Sequence, residues 1–103
     1  MVKKYDYSVK FDQGKPKAGL MLEGFSNALL EVSKVSTFGA DVHGENTWQR
    51  VEFERYKNSF ARHLLAWYGG ESVDEDSKLS TLAHVAWNVL ALLEMEIKKK
   101  DDK

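Results

Sequence analysis

Residues 84–96 read HVAWNVLALLEME, and the organisation of the chain turns on how this stretch is understood. Extended in both directions it predicts a helix from about Leu79 to Lys98. Leu79, Leu82, Ala86, Val89, Leu90, Leu93 and Ile97 fall on one face, and Thr81, His84, Asn88, Leu92 and Met95 on the face opposite. A helix apolar on both faces has to be covered from two directions. His84 and Asn88, one turn apart on the second face, need hydrogen-bond partners there, because a buried polar group left unpaired costs about 1–3 kcal/mol.

Two more helices are expected upstream. From about Leu20 to His43, Leu22, Phe25, Leu29, Val32 and Val35 recur at three- and four-residue steps; Val35, Thr37 and Gly39 weaken the end, and HGENTW closes it. From about Val51 to Tyr68, Phe53, Tyr56, Phe60, Leu64 and Trp67 form one side, with Arg55, Ser59 and Arg62 opposite. Gly69-Gly70 supplies a left-handed stop. The third helix follows the loop ESVDEDSK, where Asp76 or Ser77 is the expected N-cap. Residues 1–18, lysine-rich and holding the single proline, read as an extended arm ending in the turn DQGKPK; KKKDDK reads as a charged tail. The expectation is therefore an all-α, three-helix domain over residues 19–98, flanked by an arm (1–18) and a tail (99–103). Three helices cannot readily sandwich one of their own number, so the two-faced helix further predicts an oligomeric helical bundle, a symmetric dimer being the commonest form. The arm is the other available cover.

Composition narrows the function. At 103 residues, 43% hydrophobic and 30% charged, the chain suits a single domain with a modest core. A net charge of −1 speaks against a duplex-DNA binder while leaving room for a small anion. The absence of cysteine excludes disulfides, thiolate zinc sites and thiol nucleophiles. With no apolar run near the roughly 18 residues of a membrane span and no signal-peptide core at the start, a cytoplasmic protein is expected, without membrane partners.

Several polar and aromatic residues are candidates for chemistry. His63 lies in line with Phe60 and Trp67 and points inward, as does His84. Two imidazoles beside Glu71, Asp74, Glu75 and Asp76 outline a metal site in which Glu71, Asp74 and His84 are the candidate ligands, although the spacing matches no compact ligand signature. The plain alternative is a pair of satisfied core histidines and a capped acidic loop. Arg55 and Arg62, two turns apart, suit phosphate oxygens, and Lys10, Lys15 and Lys17 would add charge. Trp48 and Trp87 offer planar surfaces for a base, or for core packing. Gly14-Lys15 is not a Walker loop, since the earlier glycine and the following Ser/Thr are missing. No glycine-flanked serine marks a nucleophile elbow.

Taken in order and spacing, KFDQGKPKAGL (10–20), STFGADVHGENTW (36–48) and RHLLAWYGGESVDEDSKLSTLAHVAWNVLALLE (62–94) resemble the small phage-encoded family of dATP/dGTP diphosphohydrolase N-terminal domains. The family-like positions are Asp12, Gly14, Lys15, Pro16, Gly39, Asn46, Trp48, Arg62, His63, Gly70, Glu71, Asp74, Ser77, His84, Trp87 and Asn88. The resemblance implies an all-α phage protein concerned with nucleotides, and its third helix is similar to the last motif helix of the MazG-like pyrophosphatases. Two departures bear on activity. Family members often carry His-Leu-Ala-His where this chain has Thr81-Leu82-Ala83-His84. MazG-like enzymes hold magnesium through paired Glu-x-x-Glu and Glu-x-x-Asp helices, whereas this chain presents Arg62, His63, His84 and Asn88 in that region.

Binding is thus expected over catalysis. The leading expectation is a phage nucleotide-binding protein that sequesters a nucleotide-derived host immune signal in the cytoplasm of the infected bacterium, as a homo-oligomer, with no cofactor needed for binding. Its ligand residues are Lys15, Asn46, Trp48, Arg55, Arg62, His63, His84, Trp87 and Asn88. The alternatives are a dATP/dGTP pyrophosphohydrolase using magnesium or manganese, and a structural helical module without a ligand.

Overall fold

A computed structural model describes residues 13–101; the arm before Gln13, including Lys10 and Asp12, lies outside them. Among the described residues the chain is all-α: α1 (Gly19–Gly24), α2 (Ser26–His43), a 3₁₀ turn (Thr47–Arg50), α3 (Phe53–Tyr68) and α4 (Thr81–Asp101). No strand forms there, and one isolated antiparallel bridge joins Val73 to Ser80. No described helix is long and apolar enough to cross a membrane. The expected turn sits at residues 13–17, with Gly14 at φ 84°.

The first expected helix is kinked. Phe25 departs from helical geometry (φ −125°, ψ 29°), although backbone hydrogen bonds from Phe25 to Met21 and from Leu29 to Phe25 continue across it. The apolar stripe divides at this kink: Leu22 and Phe25 are exposed, whereas Leu29 and Val32 are half-buried and Val35 is buried. Gly39 does not stop the helix, which continues to His43 and ends at Gly44, φ 99°.

α3 ends in a Schellman arrangement. Gly70 N–H donates to Trp67 O and Glu71 N–H to Ala66 O, with Gly70 at φ 109°, so two of the last carbonyls are satisfied and Gly70 takes a conformation L side chains resist. The half-buried side of α3 is Tyr56, Ser59, Phe60, His63 and Ala66. Ser59 was expected opposite these residues and instead joins them, while Arg55 and Arg62 stay in solvent.

α4 begins at Thr81, two residues later than expected, and runs through the lysines to Asp101. Its capping hydroxyl is Ser80, whose Oγ accepts from Ala83 N–H, and not Asp76 or Ser77. The delay has a local cause: Lys78 adopts φ 64°, and residues 72–81 are tied into a small hairpin by Asp74 N–H to Leu79 O and Thr81 N–H to Ser72 O.

α3 and α4 pack antiparallel, and α2 packs on α4 as well. α4 is therefore the central helix. It buries Thr81, Ala83, His84, Val85, Asn88 and Ala91 against its neighbours, so the predicted second face is the covered one. The other face is open: Leu82, Val89, Leu90, Leu93 and Ile97 are each 43–50% exposed. The buried apolar residues are all small, namely Val35, Ala83, Val85 and Ala91. The radius of gyration is 17.9 Å, where a compact domain of this length has about 13 Å. Among the described residues the central helix is covered from one direction only.

Candidate functional site

Two groups of side chains lie along α4, one at each end. The N-terminal group joins α3, the loop and α4. Antiparallel packing sets His63 beside His84, their rings stacked at 4.7 Å between centroids and 12° between planes. The loop hairpin returns Asp74 to the same place, with Oδ1 4.0 Å from His63 Nδ1 and Oδ2 3.9 Å from His84 Nε2. Neither distance is a hydrogen bond. The bonds run through Ser77: its N–H and Oγ–H both donate to Asp74 Oδ2, at 2.8 and 2.9 Å, and His84 Nε2 lies 2.7 Å from Ser77 Oγ. With the hydroxyl donating to Asp74, the contact to His84 is made by the tautomer that carries its proton on Nε2.

Electrostatics follow from this wiring. Burial alone would raise the Asp74 pKa, but the two Ser77 bonds and the nearby imidazoles outweigh it and hold the carboxyl below its ordinary value. Burial pushes His84 down, the neighbouring His63 adds to this, and Asp74 only partly opposes it, so His84 is neutral near pH 7. The set contains Ser, His and Asp without forming a nucleophile triad, because the carboxylate accepts from the serine and not from the imidazole. Among the described residues no group of three or more His, Asp or Glu is arranged to hold a metal ion. Of the candidate ligands, Asp74 and His84 come together with His63, while Glu71 lies exposed just past the α3 cap.

Asn88 answers locally to its burial. It is 3% exposed, and its amide donates to His84 O at 2.8 Å, one turn back. Thr81, where family members often carry histidine, is fully buried, and its Oγ1 has no partner among the described residues.

The second group forms where α2, the 3₁₀ turn, α3 and α4 meet. Trp48, Tyr56 and Trp87 make a three-ring cluster of edge-to-face contacts, with centroids 5.6–6.4 Å apart. Tyr56 Oη donates to Trp48 O at 2.7 Å, and burial raises its pKa. Trp87 Nε1 donates to Ser36 Oγ at 2.8 Å, tying α4 to α2. Beyond the rings, Trp48, Gln49, Phe53, Met95, Glu96, Lys98 and Lys99 line a cleft of about 510 Å³. Lys98 Nζ reaches Gln49 Oε1 at 3.4 Å across its mouth. Arg55 lies in the first turn of α3, close in sequence to Phe53, and Glu52 provides no side-chain cap there. Asn46 takes a left-handed conformation (φ 62°) before the 3₁₀ turn and is exposed, as are Lys15, Arg55 and Arg62.

Of the residues expected to bind a ligand, the structure joins His63 to His84 and Trp48 to Trp87. Lys15 is exposed beside the Gly14 turn, and Asn46 is exposed at the start of the 3₁₀ turn that carries Trp48. Ser77 was expected as a cap and as a family-like position, not as a partner of Asp74 and His84; the Asp-x-x-Ser spacing of Asp74 and Ser77 carried the signal for the turn they form. Gln49, Phe53, Met95, Lys98 and Lys99 were not anticipated, and no local signal marks them, since the residues facing them are some fifty positions away.

The sequence profile of the family described as "dATP/dGTP diphosphohydrolase, N-terminal" matches residues 6–103. The chain belongs to this family. Within it, the domain is 32% identical over 78 residues to a dATP/dGTP diphosphohydrolase of Salmonella phage PMBT28. The match covers 76% of this chain and 26% of that protein, so the domain corresponds to about a quarter of its relative. No solved structure matches the chain. All the residues of both α4 groups fall within the family match.

Proposed function

We propose that this chain is a phage nucleotide-binding module, homo-oligomeric, which holds its ligand in the cleft beside Trp48. One observation carries the proposal: a cleft of about 510 Å³, within the range of small-molecule sites, has the aromatic walls Trp48 and Phe53 and a rim in which the two cations Lys98 and Lys99 outnumber the one carboxylate, Glu96. A purine ring fits the aromatic walls, the lysine ammonium groups suit the phosphates, and Gln49 offers both a donor and an acceptor. Family membership, and the dATP/dGTP named for the phage relative, support a purine deoxynucleotide as the ligand class. In this reading the His63–Asp74–Ser77–His84 group is chiefly a pin holding the loop onto α4, because its bonds are spent within the chain.

The finer reading is sequestration, the capture without turnover of a nucleotide or nucleotide-derived host signal in the cytoplasm of an infected bacterium. It needs no cofactor. It is supported by the commitment of Asp74 to Ser77 and by the neutral or cationic residues at positions 62, 63, 84 and 88. The second reading, hydrolysis of dATP or dGTP with magnesium or manganese, is favoured by the relative's name.

Calorimetric titration with dATP, dGTP, their monophosphates and cyclic purine nucleotides tests the proposal. Binding weakened by Trp48→Ala and by Lys98→Ala/Lys99→Ala, with no pyrophosphate released in magnesium or manganese, supports sequestration. Pyrophosphate release supports the second reading. No heat with any nucleotide from a folded chain overturns both and leaves a structural helical module.

A further inference from the structure

The open face of α4 has a symmetry that identifies its occupant. Leu82, Ala86, Val89, Leu90, Leu93 and Ile97 form a stripe about 22 Å long, opposite the side packed on α2 and α3. The stripe is palindromic about the midpoint between Val89 and Leu90: Leu82 lies as far before it as Ile97 after it, and Ala86 as far before as Leu93 after. An isologous two-fold contact requires this pattern, in which residue i meets residue j and j meets i. We infer that a second copy of this chain docks here, its α4 antiparallel to the first, with the two-fold axis passing between Val89 and Leu90.

Side-chain size and charge select the direction. In antiparallel register each Ala86 faces a Leu93, so a small residue receives a large one, whereas a parallel pair would set alanine against alanine and leave a gap. Lys100 continues the stripe three residues beyond Ile97, and the other end of the stripe adjoins the loop carrying Glu75 and Asp76. Antiparallel docking brings the basic end of one helix to the acidic end of the other, and opposes the two helix dipoles favourably. Parallel docking would place one lysine run, Lys98–Lys100, against its copy. This inference rests on the self-associating part of the function proposed above and is independent of the nucleotide part.

The test uses the whole chain, which has no cysteine to interfere. Sedimentation equilibrium should give twice the 11.8 kDa chain mass, and Leu93→Glu, with helicity checked by circular dichroism, should weaken the dimer at least tenfold. Register is read by oxidative cross-linking: Leu90→Cys should link to its own copy, Leu82→Cys alone should not, and Leu82→Cys mixed with Ile97→Cys should give the mixed disulfide. A monomeric wild type, as expected if the face is reserved for another part of a longer protein, overturns the inference. So does a dimer in which Leu82→Cys links to itself as readily as Leu90→Cys. A monomer that binds nucleotide refutes the docking and the self-association but not the nucleotide reading, and a dimer that binds none refutes only the nucleotide reading.

Discussion

Asp74→Ala tests whether the loop is held onto α4 by the bonds described. Asp74 Oδ2 accepts two hydrogen bonds from Ser77, at 2.8 and 2.9 Å, and the carboxylate side chain is only 16% exposed. Bonds to a charged group contribute about 1.5–3 kcal/mol each. Part of the loss is recovered as water reaches the half-buried Ser77, so the expected net cost is about 2–3 kcal/mol. Asp74→Asn retains an acceptor oxygen but loses the charge, and should cost roughly 1 kcal/mol. Urea titration at fixed chain concentration should show the midpoint falling in the order wild type, Asn, Ala, with the slope unchanged. Acid separates the two contributions further. Because the folded-state pKa is below the ordinary 3.8, the unfolded chain takes up this proton first, and the Asp74 contribution is complete above that value and lost as pH falls through the folded pKa. The Asn variant should lack this acid-sensitive component. An Asp74→Ala variant within about 0.5 kcal/mol of wild type would refute the assignment of loop stability to these bonds.

Other outcomes follow from the same geometry. His84 has a folded pKa below its ordinary 6.5, so the unfolded chain binds the proton first; stability attributable to His84 is full above 6.5 and declines as pH falls below it, and the difference in slope between wild type and His84→Gln measures it. The same slope in both would remove the imidazole from the account. Gly70→Ala should cost about 1 kcal/mol, because Gly70 sits at φ 109°, whereas Gly39→Ala, inside α2 with open space where its Cβ would lie, should stabilise by about 0.5–1 kcal/mol; thermal melts of both should move in opposite directions. Thr81→Val removes a buried hydroxyl that has no partner and should raise the urea midpoint by the equivalent of about 1 kcal/mol, while a fall of that size would show the hydroxyl to be bonded.

Much of the fold was legible in the sequence by itself, because local chemistry decides it. The helix-period patterns, the left-handed stop at Gly69-Gly70, the closure after His43 and the turn around Gly14 all depend on neighbours a few residues away, and all appear within a few residues of where they were expected. The two apolar faces of α4 were also legible, as a property of its residues. Only the tertiary structure decided which face this chain covers, since periodicity says which side chains share a face and nothing of what lies opposite. It likewise decided that Asp74 reaches back to two stacked imidazoles, which depends on the left-handed turn at Lys78, and that α4 starts at Ser80's cap and not two residues earlier. Trp48 meets Trp87, and Lys98 meets Gln49, across some forty to fifty residues because α2 and α3 both pack on α4. Those contacts belong to the packing of helices whose relative placement no short stretch of sequence contains.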